Sequence, residues 1–171
     1  METLIVTGAA GSIGTRVCKT LAETEGIAAI LAIDTRPEMP NHRRVYHHQL
    51  DLQIDDLKPV FEGATSLIHL ATSFGPSSDG TDAGGAEIDA TRRVFEAASA
   101  VGIKKIVILS SAMVYGAWPN NEVPITEHTD INPNPDFSFA SVKTEIEGLA
   151  TEWKSKHPHS EVVILRPTTA L

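Results

Sequence analysis

The chain has 171 residues, 42% of them apolar and 21% charged, enough for one globular domain with a proper core. Its formal charge of −8 and pI of about 5.3 argue against non-specific nucleic-acid binding and against adhesion to an anionic membrane. The only cysteine is Cys18, which excludes an intrachain disulfide and points to a reducing cytoplasm; no apolar run is long enough to span a bilayer, and no basic leader precedes the first strand-like run.

Short β-branched runs alternate with longer segments of helical period. TLIVTG (3–8) reads as a buried strand, and SIGTRVCKTLAE (12–23) as a helix with Ile13, Val17 and Leu21 at core spacing. Further strands are expected at 27–34, 44–51, 65–72, 104–111 and 161–167. Helices are expected at 86–102, with Ile88, Val94, Phe95 and Ala98 inward and Gly102 as the stop, and at 137–153. The strands are nearly continuous apolar runs, the pattern of a parallel sheet buried on both faces. Strand–helix–strand repetition implies an α/β fold, a doubly wound, Rossmann-type sheet in three αβα layers. Residues 116–136, rich in Pro, Asn and Asp, read as a loop beyond the fifth strand, at the edge where open α/β sheets bind ligands. Nothing after the sixth strand is long enough to make a second, substrate-covering lobe, so residues 1–171 are read as one domain.

The first strand–helix junction carries Gly8, Gly11 and Gly14 at three-residue spacing. Small residues there let the chain turn sharply, let backbone approach a pyrophosphate, and let helix and strand pack closely. The N–H groups around Ser12 and Ile13 then present a helix N-terminus to the phosphates. Asp34 ends the second strand about 20 residues on. A carboxylate at that place accepts hydrogen bonds from ribose hydroxyls and repels a 2′-phosphate, favouring NAD over NADP; Arg36 pulls the other way, because a guanidinium can pair with such a phosphate.

These residues resemble the extended branch of the short-chain dehydrogenase/reductase superfamily, the NAD-dependent epimerases and dehydratases of nucleotide sugars. The resemblance rests on TGAAGSIG (7–14), ID (33–34), DL (51–52), HLAT (69–72), SSAMVYG (110–116), FASVK (139–143) and LRP (165–167), and runs over essentially the whole chain. It implies that Asp51 and Leu52 border the adenine and that Leu70, Ala71 and Thr72 run beneath the cofactor. It also implies that Ser111 hydrogen-bonds the substrate's reacting oxygen, that Lys143 binds the nicotinamide ribose, and that Pro167 enters the substrate pocket. A sugar nucleotide as substrate and a homodimer formed through helices 86–102 and 137–153 follow from the same resemblance.

Two positions depart from the family pattern. The catalytic tyrosine falls on Phe139, and the asparagine tied to the family's proton relay falls on Glu87. A phenol beside an ammonium can take a proton near neutral pH, and a phenyl ring cannot. Two readings stay open: an oxidoreductase-type domain impaired at 139, or a non-catalytic NAD-binding sensor or scaffold. Tyr115 and Glu87 are the remaining groups that could stand in as a base, Tyr115 reading mainly as packing. Phe139 has a second explanation, as part of a core stripe with Val142, Ile146, Leu149 and Trp153. His42, His47 and His48 read as surface histidines rather than metal ligands, so no metal is expected. Arg43–Arg44 and Arg92–Arg93 read as solvated faces, and Ser111 lacks the G-x-S-x-G setting of a hydrolase nucleophile.

Overall fold

In the computed structural model, residues 1–38, 41–72 and 83–168 are described. Six parallel strands form one sheet: β1 (Glu2–Thr7), β2 (Ile27–Asp34), β3 (Val45–Gln49), β4 (Ser66–His69), β5 (Lys105–Leu109) and β6 (Glu161–Leu165), in the order β3-β2-β1-β4-β5-β6. Among the described residues, four α-helices connect them: α1 (Ser12–Glu23), α2 (Lys58–Phe61), α3 (Ala83–Val101) and α4 (Ser138–Lys156), with one 3₁₀ turn over Ala112–Tyr115. Strand order reverses between β1 and β4, which opens a crevice at the carboxyl ends of these strands. This is the doubly wound, Rossmann-type α/β architecture that the alternating pattern implies.

Successive residues of each strand face opposite layers. Ile5, Ile33, Leu67, Ile106 and Ile108 pack into one core with Phe61 of α2, Val94, Phe95 and Ala98 of α3, and Ile146, Ala150 and Trp153 of α4. Leu4, Val6, Ile30 and Ala32 face the other way, onto Cys18 and Ala22 of α1. One helix layer among the described residues is therefore α1 alone. The edge strands β3 and β6 are only partly covered, β4 and β5 are buried on alternate residues, and at β1 and β2 the continuous apolar runs sit between both layers.

The expected inner face of α1 is rotated, and that of α4 keeps Val142, Ile146, Leu149 and Trp153 against the core but loses Phe139. In α1 the buried residues are Gly14, Cys18 and Ala22, while Ile13 is exposed and Val17 and Leu21 lie at the margin. Small residues line that face because the helix lies close on the sheet. In α4 the buried set is Ala140, Lys143, Ile146, Glu147, Ala150 and Trp153. Phe139 is half-buried and outside the core cluster, so it is not a core stripe residue. Several strands are shorter than the apolar runs suggest. β4 stops at His69, and Leu70–Thr72 continue as irregular chain, tied at Leu70 N–H to the Thr7 carbonyl at 3.1 Å. The arginine pairs are not simply solvated. Arg44 donates to the carbonyls of Ala22 and Thr24, and Arg93 to those of Leu52 and Asp55, fastening loops to helices.

Candidate active site

The ends of five strands converge on one crevice. Gly8 follows β1, Asp34 ends β2, Leu70–Thr72 follow β4, Ser110 and Ser111 follow β5, and Pro167 follows β6; all line it. From the helices, Ser12 and Gly14 of α1, Glu87 of α3, and Phe139, Val142 and Lys143 of α4 complete the wall.

The phosphate end is built from backbone. Gly8 has φ +70°, and a Cβ there would lie 2.7 Å from the Ala71 backbone nitrogen. A Cβ on Gly14 would strike the Gly8 carbonyl oxygen and come within 2.8 Å of Ala9 Cα. Glycine at these two positions is thus required by geometry, and it leaves a concave cradle against the start of α1. Gly11 is the N-cap, no side chain caps the helix, and its first turn holds no acidic residue. The Ser12 and Ile13 N–H groups, in the first turn where no intrahelical acceptor exists, are free to bind an anion. Asp34 is buried at the far side of this cradle. It accepts from Ala10 N–H at 3.0 Å and from Arg36 through N–H, Nε and Nη2 at 3.1, 3.1 and 3.2 Å. Burial alone would raise its pKa, but the Arg36 and Ala10 hydrogen bonds outweigh it and hold the carboxyl below the usual aspartate range. Arg36 is thus drawn onto Asp34 rather than held apart from it, with its side chain still 59% exposed. The shape, the free donors and the charged acceptor fit a dinucleotide. Leu50 and Leu52 line the same end. Asp51 does not; its Oδ1 accepts from Gln53 N–H at 2.8 Å, closing its own turn.

The other end is built from side chains. Lys143 Nζ lies 2.6 Å from Glu87 Oε1 and 2.9 Å from Thr72 Oγ1, with both charged side chains only 4% exposed. The Thr72 hydroxyl donates to both Glu87 oxygens, at 3.1 and 3.2 Å. Beneath this group, His69 bridges Thr7 at 2.7 Å and Thr91 at 3.1 Å. The Thr91 hydroxyl donates to the Glu87 carbonyl at 2.8 Å, so it must accept from His69 Nε2–H, and Nδ1 accepts from Thr7. Burial, with the Lys143 ammonium adding to it, pushes the His69 pKa down to about 3, so the ring is neutral. Ser111 Oγ accepts from Met113 N–H at 3.2 Å, capping the 3₁₀ turn, and its own proton has no acceptor among the described residues. The Phe139 ring centroid stands 5.4 Å from Lys143 Nζ and 5.8 Å from the Phe137 ring.

Tyr115 stands apart from this group. It is buried away from the crevice lining, and its hydroxyl accepts from Arg166 Nη1 at 2.6 Å. Arg166 also grips buried Glu147 through Nε and Nη2, at 3.0 and 2.7 Å, and Glu147 accepts in turn from Ser110 Oγ. Sequence reasoning missed this clamp and the Glu87–Lys143–Thr72 group, because each joins residues far apart in the chain. Among the described residues, no group of three or more His, Cys, Asp or Glu could hold a metal, and no helix is long and apolar enough to cross a membrane. Cys18 is buried, which pushes its thiol up to about 11 and keeps it a packing residue.

The model of the NAD-dependent epimerase/dehydratase family matches residues 4–171. The chain belongs to this family. An L-arabinose 1-dehydrogenase (NAD(P)(+)) of Haloferax volcanii is 27% identical over 167 residues, covering 92% of this chain and 63% of its own length. Among solved structures, MoeE5 in complex with UDP-glucuronic acid and NAD is similar with a TM-score of 0.80 at 27% identity, covering 96% of this chain and 54% of that one. A UDP-N-acetylglucosamine 4-epimerase from Methanobrevibacter ruminantium M1 shares the fold, with a TM-score of 0.82 at 24% identity and cover of 96% and 54%. The chain thus spans about half the length of these epimerase-family structures. It is an NAD-binding-type domain of the epimerase/dehydratase class, suited to a nicotinamide dinucleotide.

Proposed function

We propose that residues 1–171 form one dinucleotide-binding domain that takes NAD in preference to NADP, beside a site for a sugar nucleotide, and that turns this substrate over little or not at all. The observation that carries this reading is the ring at position 139, a hydrocarbon lying 5.4 Å from Lys143 Nζ beside a serine that lines the same crevice. Bound NAD would supply a hydride acceptor and donor for a sugar carbon. The Ser12 and Ile13 N–H groups would hold its pyrophosphate, and the Asp34 carboxylate the adenosine ribose hydroxyls, with charge that disfavours a 2′-phosphate. Leu52 and the Leu70–Thr72 stretch would border the cofactor. Lys143, with a third N–H beyond those given to Glu87 and Thr72, would reach the nicotinamide ribose. The Ser111 hydroxyl would orient the reacting oxygen, and Pro167 would edge the substrate.

What the site lacks is a group to hold the proton that leaves this oxygen. General acid–base help is worth about 10²–10⁴-fold, so its loss leaves binding intact and chemistry nearly silent. The second reading, a non-catalytic NAD-binding sensor or scaffold, is favoured by the same phenyl ring, and the two differ only in whether slow turnover remains. Titration calorimetry with NAD and NADP, followed by turnover assays on UDP-sugars, tests both. Tighter binding of NAD with a rate at or near background supports the proposal. Absence of NAD binding at millimolar concentration overturns both readings, and rapid turnover overturns the assigned role of position 139.

A further inference from the structure

Lys143 is an ammonium with a side chain only 4% exposed, and such a charge persists in a protein interior only with a counter-charge. In this chain the counter-charge is Glu87, reaching from α3 to α4 at 2.6 Å, with the Thr72 hydroxyl closing a three-membered group that gives a proton to the carboxylate and accepts one from the ammonium. The Phe139 ring lies alongside, its centroid 5.4 Å from Nζ. An oxygen added to that ring would therefore lie near a pair whose charges are within hydrogen-bond distance of each other. Opposite charges so close act at several ångströms as a dipole, and most of the field of the lysine alone is lost.

We propose that Glu87 is a positioning residue that cancels Lys143, so that positions 87 and 139 are coupled and a hydroxyl restored at 139 alone does not ionise near neutral pH. The inference rests on reading 139 as the proton-transfer position, but its test needs neither cofactor nor substrate. The charged groups that line the crevice around the ring are Glu87, Asp89 and Arg92 from α3, and Lys143 and Glu145 from α4. From β4 the nearby titratable group is His69, which is neutral. Of these, Lys143 lies over the ring and Glu87 is its ion-pair partner.

The full chain with Phe139→Tyr, and the same variant with Glu87→Gln added, are titrated by the near-ultraviolet absorbance of tyrosinate. The chain's two natural tyrosines, Tyr46 and Tyr115, are subtracted using matched proteins that keep Phe139. With Glu87 present the new phenol should titrate near the ordinary value of about 10, so that roughly 1% is ionised at pH 8. With Glu87→Gln it should fall by about 1–3 units, bringing the ionised fraction at pH 8 to roughly 10–90%. Equal titration in the two proteins overturns the proposal, as does a value already depressed in Phe139→Tyr alone. Glu87→Gln leaves a buried ammonium unpaired and can unfold the chain, so a third protein keeps the question open to refutation. Phe139→Tyr with Glu87→Leu and Lys143→Met replaces the pair by apolar groups, a change buried ion pairs often tolerate. Its phenol should titrate as in Phe139→Tyr alone; a clear rise would mean that Lys143 acts unshielded and would overturn the coupling. A purely structural role for Glu87 would not move the phenol in either direction.

Discussion

At the β1–β2 end of the crevice, the contacts proposed for a dinucleotide come from backbone: a turn at Gly8, a close crossing at Gly14 and the open N–H groups of α1. At the β5–α4 end the lining comes from side chains, and each proposed role depends on a few atoms: the Ser111 hydroxyl, the Lys143 ammonium held by Glu87, and a ring at 139. The difference teaches why the two ends can part company. A backbone site survives most substitutions, because only glycine positions and one carboxylate matter. A proton-transfer site disappears with a single oxygen while its surroundings stay folded.

The comparison breaks most visibly at Lys143. Lys143→Met should destabilise the chain by about 3–5 kcal/mol in urea denaturation by leaving the Glu87 charge buried without a partner, and adding Glu87→Leu should recover most of the loss. If the single variant is as stable as the parent, the pair is not the charge-balanced unit described above. At the phosphate end, Asp34→Asn should weaken NAD by about 1.5–3 kcal/mol, roughly ten- to hundredfold by calorimetry, and NADP by less. Because the folded-state pKa of Asp34 is lowered, its charge-dependent contribution to stability is fully present above the ordinary aspartate value of about 3.9. That contribution is lost as pH falls through the lower folded value, so NAD affinity should stay flat from pH 8 down to about 5.

Gly14→Ala tests the backbone site. Its Cβ meets main-chain atoms that cannot swing aside, so about 1–3 kcal/mol of stability should go, and NAD binding with it. A thermal melt and calorimetry on one sample would separate the two effects. A pH-dependent effect concerns His69, which ties β1 of the phosphate end to α3 of the other. The unfolded ring takes a proton as pH drops through 6.5, while the folded ring resists until about 3. Stability should therefore fall on acidification across that window, by at most about 1.4 kcal/mol per pH unit from this group, and His69→Asn should flatten the slope measured by denaturant titration.

Legibility in the sequence follows the same division. The β1–α1–β2 unit could be read almost to the residue, because glycine spacing and the closing aspartate are local signals. The four-residue helix α2 went unread, since a single turn containing Pro59 has no period to detect. The inner face of α1 was misplaced because close helix–sheet contact selects Gly14, Cys18 and Ala22 over the larger Ile13. The inner face of α4 was legible at Val142, Ile146, Leu149 and Trp153, but not at Lys143 and Glu147, which are charged and buried because their partners lie on α3 and beyond β6. Ser111, Phe139 and Lys143 could be placed on one crevice by motif alone; the carboxylate that holds the lysine could be named as a departure but not as its partner.

The Arg166 guanidinium has a mechanical consequence. One planar fork joins Glu147 in the middle of α4, the Tyr115 hydroxyl after β5 and the Glu127 carbonyl in the long loop. A lysine there, with a single point of attachment, could not rivet all three. The floor beneath Ser111 and Pro167 is therefore braced independently of whatever occupies position 139. A change of side chain there would leave this frame standing.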